Sequence, residues 1–97
     1  ENGSAWLLSA TLARRLNKLP DALAFIQTAA ALLPSDPAMA LEAGNIAIAA
    51  GDDNTARKQW EQVIKIGPTS RQAVTATAQL AALAAATPTA KDEPQSR

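Results

Sequence analysis

Asp52 and Asp53 stand side by side, and paired carboxylates are groups that can bind a metal or share a proton. Their position argues for a plainer role. They follow Gly51 directly and precede a helical pattern, where a carboxylate accepts the free N–H groups of the first turn. Arg14, Arg15 and Lys18 form a small basic group that could receive a carboxylate or an acidic peptide. They also fall at the end of a helical stretch, where cations complement the helix dipole. Trp6 and Trp60 could stack on a ligand, but both recur at positions that pack a core. Serine, threonine and lysine occur in no arrangement that pairs a nucleophile with an activating base. Cysteine and histidine are both absent, which removes disulfides, thiol nucleophiles, Cys/His metal sites and the usual general base. The chain is therefore expected not to be an enzyme, with no catalytic residue, no cofactor and no metal.

Ninety-seven residues suffice for one small domain whose core is too modest to absorb many buried polar groups. Roughly a quarter of the positions are alanine, the best helix former and a residue that lets helices approach closely. Nine basic and nine acidic residues cancel. Nucleic acid is not expected as a partner on that ground, because its binding draws on a basic patch that releases phosphate counterions. No apolar run reaches the ~18 residues that cross a bilayer, so direct membrane insertion by this chain is not expected. The sequence starts at Glu1 rather than methionine and reads as an excised or processed piece, so a signal or anchor could lie outside it and the compartment stays open.

These residues must be held by helices, whose punctuation is legible. Ser4 can cap a helix from about Ala5 to Leu16, with Leu8, Leu12 and Leu16 along one apolar stripe. Asn17 and Lys18 read as a turn. Pro20 and Asp21 suit the first turn of a second helix, whose apolar face is Leu23, Ile26, Ala30 and Leu33, and Pro34 closes it. Ser35-Asp36-Pro37 opens a third helix that runs to Ala50, where Gly51 can turn left-handed and end it. Asp52 or Asp53 caps a fourth helix ending near Ile66, before Gly67-Pro68. Thr69 or Ser70 opens a fifth, alanine-rich helix through Ala86. Residues 87–97 carry no large apolar side chain and are expected to be a disordered tail.

Self-comparison at an offset of 34 residues aligns Ala10 with Gly44, Asn17 with Gly51, Ala22 with Ala56, Ile26 with Trp60, Leu32 with Ile66 and Pro34 with Pro68. Each pair has one physical role: close helix contact, a turn, a filled core or a stop. On these residues the chain resembles the tetratricopeptide repeat family. The first unit spans residues 3–36, matching through Trp6, Ala10, Ala22, Ile26, Ala29 and Pro34. The second spans 37–70, matching through Gly44, Gly51, Ala56, Trp60 and Pro68, and residues 71–86 resemble the family's closing helix. Ala13 and Ala47 depart from the pattern, standing where the family often has a larger aromatic, and Ala40 stands where the first unit has Trp6. These departures thin the core.

The resemblance implies an all-α fold: a right-handed α-solenoid of two antiparallel helix hairpins plus a C-terminal closing helix, forming one repeat domain over residues 3–86. It implies a non-catalytic scaffold that holds a peptide or protein segment in a concave groove lined by first helices. The groove positions carried over are Leu7, Thr11 and Arg14, then Leu41, Asn45 and Ile48, then Thr75 and Gln79. Leu7, Leu41 and Ile48 would make an apolar floor, Asn45 and Gln79 would hydrogen-bond a peptide backbone, and Arg14 would hold a carboxylate. The set with which some members grip the C-terminal carboxylate of chaperones is missing. Leu7, Thr11, Glu42, Gln72 and Ala76 occupy those sites, and Glu42 would repel a carboxylate.

Two other readings stay open. The chain is a self-association module, a homo-oligomer formed through the alanine face of the closing helix, or it is an accessory domain of a larger protein. Its alanine-rich style looks like that of bacterial repeat proteins in envelope or secretion assemblies.

Overall fold

The computed structural model describes residues 2–86. The expected tail at 87–97 lies outside the described residues. The fold is all-α: α1 (Gly3–Arg15), α2 (Leu19–Leu32), α3 (Pro37–Ala49), α4 (Asp53–Ile66) and α5 (Arg71–Ala86), with no strand among the described residues.

The helix boundaries follow from side chains that satisfy the orphan backbone groups of each end. Asn2, not Ser4, caps α1, because its side-chain oxygen reaches the Ala5 N–H at 3.2 Å. The Asp36 carboxylate accepts from Ala38 N–H at 2.8 Å to start α3. Ser70 Oγ accepts from Ala73 N–H at 3.0 Å at the start of α5. Asp52 caps α4 twice over, accepting from the Thr55 N–H at 3.1 Å and the Thr55 hydroxyl at 2.7 Å. These two donors hold the Asp52 carboxyl below its ordinary value, the hydroxyl contributing most.

The turns inside the two helix pairs are the same object built twice. Asn17 (φ 61°) and Gly51 (φ 83°) both adopt the left-handed conformation. The Asn17 N–H bonds Arg14 O at 2.9 Å and the Lys18 N–H bonds Ala13 O at 2.8 Å; 34 residues on, Gly51 bonds Ile48 O at 3.1 Å and Asp52 bonds Ala47 O at 2.9 Å. This pair of bonds is the Schellman helix stop, which needs a residue tolerant of positive φ. Glycine tolerates it for lack of a Cβ, and asparagine by local hydrogen bonding.

Each helix packs on its successor, and α1, α3 and α5 also touch in sequence, whereas α2 and α4 do not touch. The core is mostly alanine: Ala10, Ala22, Ala29, Ala40, Ala56 and Ala76 are fully buried. Larger side chains fill the spaces between them, chiefly Ile26, Met39, Ile46, Trp60 and Val63. Trp6 packs at the edge of this core, its ring centroid 5.8 Å from that of Phe25. Between α3 and α4 the fit is closest at Gly44. A Cβ there would run into Trp60 Nε1 and Cδ1, and Trp60 is itself buried. The apolar stripe expected on α1 is not part of this core. Leu8, Leu12 and Leu16 face outward, while Gly3, Ala10 and Ala13 are buried, because small residues let α1 approach α2 and the leucine ridge points away from both partners.

Two outcomes follow from the packing and the cap. Gly44→Ala gains helix propensity of about 1 kcal/mol but overpacks Trp60 at a cost of about 1–3 kcal/mol, so thermal unfolding should move to a lower midpoint, by several degrees. For Asp52, whose folded pKa is depressed, the capping contribution is complete above the ordinary value of 3.8 and is lost as pH falls through the lower folded value. An acid titration followed by circular dichroism should show this loss in the wild type, and Asp52→Asn should remove its share of the pH dependence.

Candidate functional site

On α1, residues 7, 11 and 14 lie on one side of the helix, and on α3 residues 41, 45 and 48 do the same. Because α1 touches α3 and α3 touches α5, these rows and that of α5 are neighbours. Leu7, Leu41 and Ile48 are half-buried and pack against the core instead of standing free. Thr11 and Arg14 are half-buried, Thr75 is exposed and Gln79 half-buried. Ile48 and Gln79 meet at a shallow cleft of about 370 Å³ together with Asp53, Trp60 and Leu83. Thr11 and Arg14 instead meet α3 at the seam between α1 and α3.

At that seam the chain supplies its own carboxylate. Arg14 makes a two-pronged ion pair with Glu42, Nε to Oε2 and Nη2 to Oε1, the latter at 3.2 Å. Thr11 Oγ1 donates to Glu42 Oε1 at 2.9 Å, with the Leu7 carbonyl 3.2 Å away as a second acceptor. Glu42 is 6% exposed and is the sole buried charged side chain among the described residues. The two functions expected separately, Arg14 as a carboxylate grip and Glu42 as a carboxylate repellent, thus meet in one internal contact. A sequence signal for it exists: Glu42 is the lone charge between Pro37 and Ala50. A single carboxylate in an apolar helix needs a cation brought by another element.

Asn45 sits between Leu41 and Ile48, and its Oδ1 is buried without a hydrogen-bond partner. An unmatched acceptor of this kind costs about 1–3 kcal/mol. Trp60 Nε1 is likewise buried without a partner, and lies where a Cβ on Gly44 would collide with it.

A second concavity lies on the opposite side of α3. A cleft of about 730 Å³ opens where α2 and α4 fail to touch. Its floor includes Ala43 and Ala47 of α3, with Leu23 and Ile26 on the α2 wall, and Gln59 and Gln62 on the α4 wall. Sequence reasoning did not place a site there. The available signal was the small residue at position 47, where thin packing was expected. The missing information was that nothing else would fill the gap, which depends on the separation of two helices not adjacent in sequence.

Among the described residues no group of three His, Cys, Asp or Glu side chains converges as a metal site would, and no helix is long and apolar enough to cross a membrane. Compared with known proteins, the chain matches no family model, no curated protein and no solved structure.

The Arg14–Glu42 contact predicts a strong non-additivity. Arg14→Met alone strands a buried carboxylate and should cost about 2 kcal/mol, less than the 3–5 kcal/mol of a fully enclosed pair, since Arg14 remains about a quarter exposed. Adding Glu42→Leu should recover most of that loss. Urea unfolding of the two single variants and the double variant measures the coupling, and additive losses would contradict it.

Proposed function

We propose that this chain is part of a right-handed, tetratricopeptide-like α-solenoid and serves as a non-catalytic scaffold that holds a segment of another protein. The recurrence of turn geometry and hydrogen bonds at 34 residues supports the repeat reading, as does the burial of matched positions: Ala22 with Ala56, and Ile26 with Trp60. The balanced charge supports a protein partner over nucleic acid.

The observation that carries the binding role is the open cleft between α2 and α4. An apolar α2 wall and an alanine floor suit burial of one or two apolar side chains from a partner. The amides of Gln27, Gln59 and Gln62 line the same cleft and can pair with the partner's backbone groups. Specific protein segments bind by this combination of an apolar floor and a few placed polar groups.

A second seat, along the row of first helices, is favoured by the unpartnered Asn45 Oδ1. There a partner's N–H would remove an existing penalty once the side chain turns outward. Arg14 contributes less in this seat than its charge suggests, because Glu42 already engages it.

The two seats separate by substitution, using peptides selected from a displayed library against the whole chain. Ala50→Trp, at an exposed position on the rim of the cleft, should weaken such a peptide at least tenfold, while Asn45→Ala leaves it unchanged. The reverse pattern would move the site to the first-helix row. Selection of no specific peptide would sink the scaffold reading.

A further inference from the structure

The cleft between α2 and α4 runs along α3, from Met39 in its first turn past Ala43 and Ala47 to Ala50 at its C-cap. Ala43, Ala47 and Ala50 follow one another at steps of four and three residues. They therefore share one side of the helix and form a strip about 10 Å long. Methyl groups alone make such a strip shallow, so it suits a side chain lying along it more than one entering end-on.

Asp52 stands two residues beyond Ala50 and is the one residue lining the cleft that carries a charge. Its carboxylate is exposed, and the helix cap fixes its position: Oδ1 accepts from the Thr55 N–H and Oδ2 from the Thr55 hydroxyl. An ionised carboxylate has about four acceptor positions, so each oxygen keeps room for a second donor. No salt bridge among the described residues engages it. Lys58 is near enough to help hold the Asp52 carboxyl below its ordinary value, behind the two bonds from Thr55, but does not line the cleft.

We propose that the protein segment held in this cleft carries a lysine or arginine whose aliphatic stem lies along the alanine strip and whose charged head meets Asp52. The proposal rests on the cleft being the partner's seat. Two features select this chemistry. Lysine and arginine bury their stems on apolar surface while the head stays in water, which matches an apolar strip that ends at an exposed carboxylate. The pair then avoids the desolvation penalty of an enclosed one. Charge supplies the second feature: an acidic side chain in the same place would meet Asp52 with like sign, and a plain aliphatic one would leave it unused. Because the cap already orders Asp52, little of its freedom is lost on binding. Gln59 and Gln62 on the α4 wall remain for the segment's backbone, since a neutral amide serves both N–H and C=O groups.

The test uses peptides selected from a displayed library against the whole chain, taking those that Ala50→Trp weakens. They should share a lysine or arginine at a constant spacing from an apolar residue. By fluorescence anisotropy at low salt, Asp52→Asn should weaken such a peptide about two- to fivefold, the range of an exposed ion pair, and added salt should shrink the difference. The same peptide with methionine in place of its basic residue should bind the wild type and Asp52→Asn equally. Asparagine caps a helix as well as aspartate does, so α4 should keep its start; should the circular dichroism spectrum change nonetheless, Asp52→Ser, another good cap, takes its place. Cleft-bound peptides that lack a basic residue, or an affinity that removing the Asp52 charge leaves unaltered, would overturn the proposal while the cleft remains the seat. A library that yields no peptide, or only peptides that Ala50→Trp does not weaken, would overturn the cleft reading and this proposal together.

Discussion

The contact of Trp60 with the backbone of Gly44 sets the distance between α3 and α4, and much else is arranged around it. A core rich in alanine buries little area per residue, so its stabilisation is concentrated in the few large side chains that fill the gaps. Trp60 is the largest of these, and it fits only because the residue opposite has no side chain. In the first pair, Ile26 faces the corresponding region with Ala10 and Ala13 nearby in the buried set. The second pair combines the larger residue with the smaller one. Both pairs share one solution, a bulky residue on the second helix set against small residues on the first.

The same thinness explains where the surface is open. Alanines on α3 bring α1, α3 and α5 into direct contact, and nothing fills the space between α2 and α4. A larger residue at position 47 would occupy part of that space. The cleft is thus a consequence of side-chain volume, not of a loop or a mobile lid. On the other side of α3, close approach has the opposite effect: it brings Arg14 and Thr11 within hydrogen-bonding reach of Glu42 and closes a buried charged contact. The buried carboxylate gives the α1–α3 seam a specific partner to match, where alanine surfaces alone would slide with little penalty.

Helix starts, stops and turns were legible in the residues because their causes are local. Pro37 follows Asp36, Gly51 is followed by Asp52, and Ser70 precedes Arg71; each acts within three or four residues of itself. The 34-residue recurrence was legible for the same reason, since it repeats those local signals. Even the misassigned cap, Ser4 for Asn2, errs by two residues, because both side chains can accept from the first turn. All-α character and the five helices needed no knowledge of packing.

Facing and pairing were not legible in this way. A leucine every fourth residue shows that α1 has an apolar ridge, but not which helix lies over it, and here none of the described helices does. Glu42 taken alone suggests repulsion of carboxylates; only the approach of α1 turns it into the partner of Arg14. Asn45 is polar in any reading of the chain, yet its lack of a donor exists only once its neighbours are in place. The cleft is a distance between α2 and α4, elements separated by an entire helix. Local chemistry settles where a helix begins and ends because the relevant atoms are covalently near. Burial, ion pairing and empty space are sums over atoms that the folded chain alone brings together.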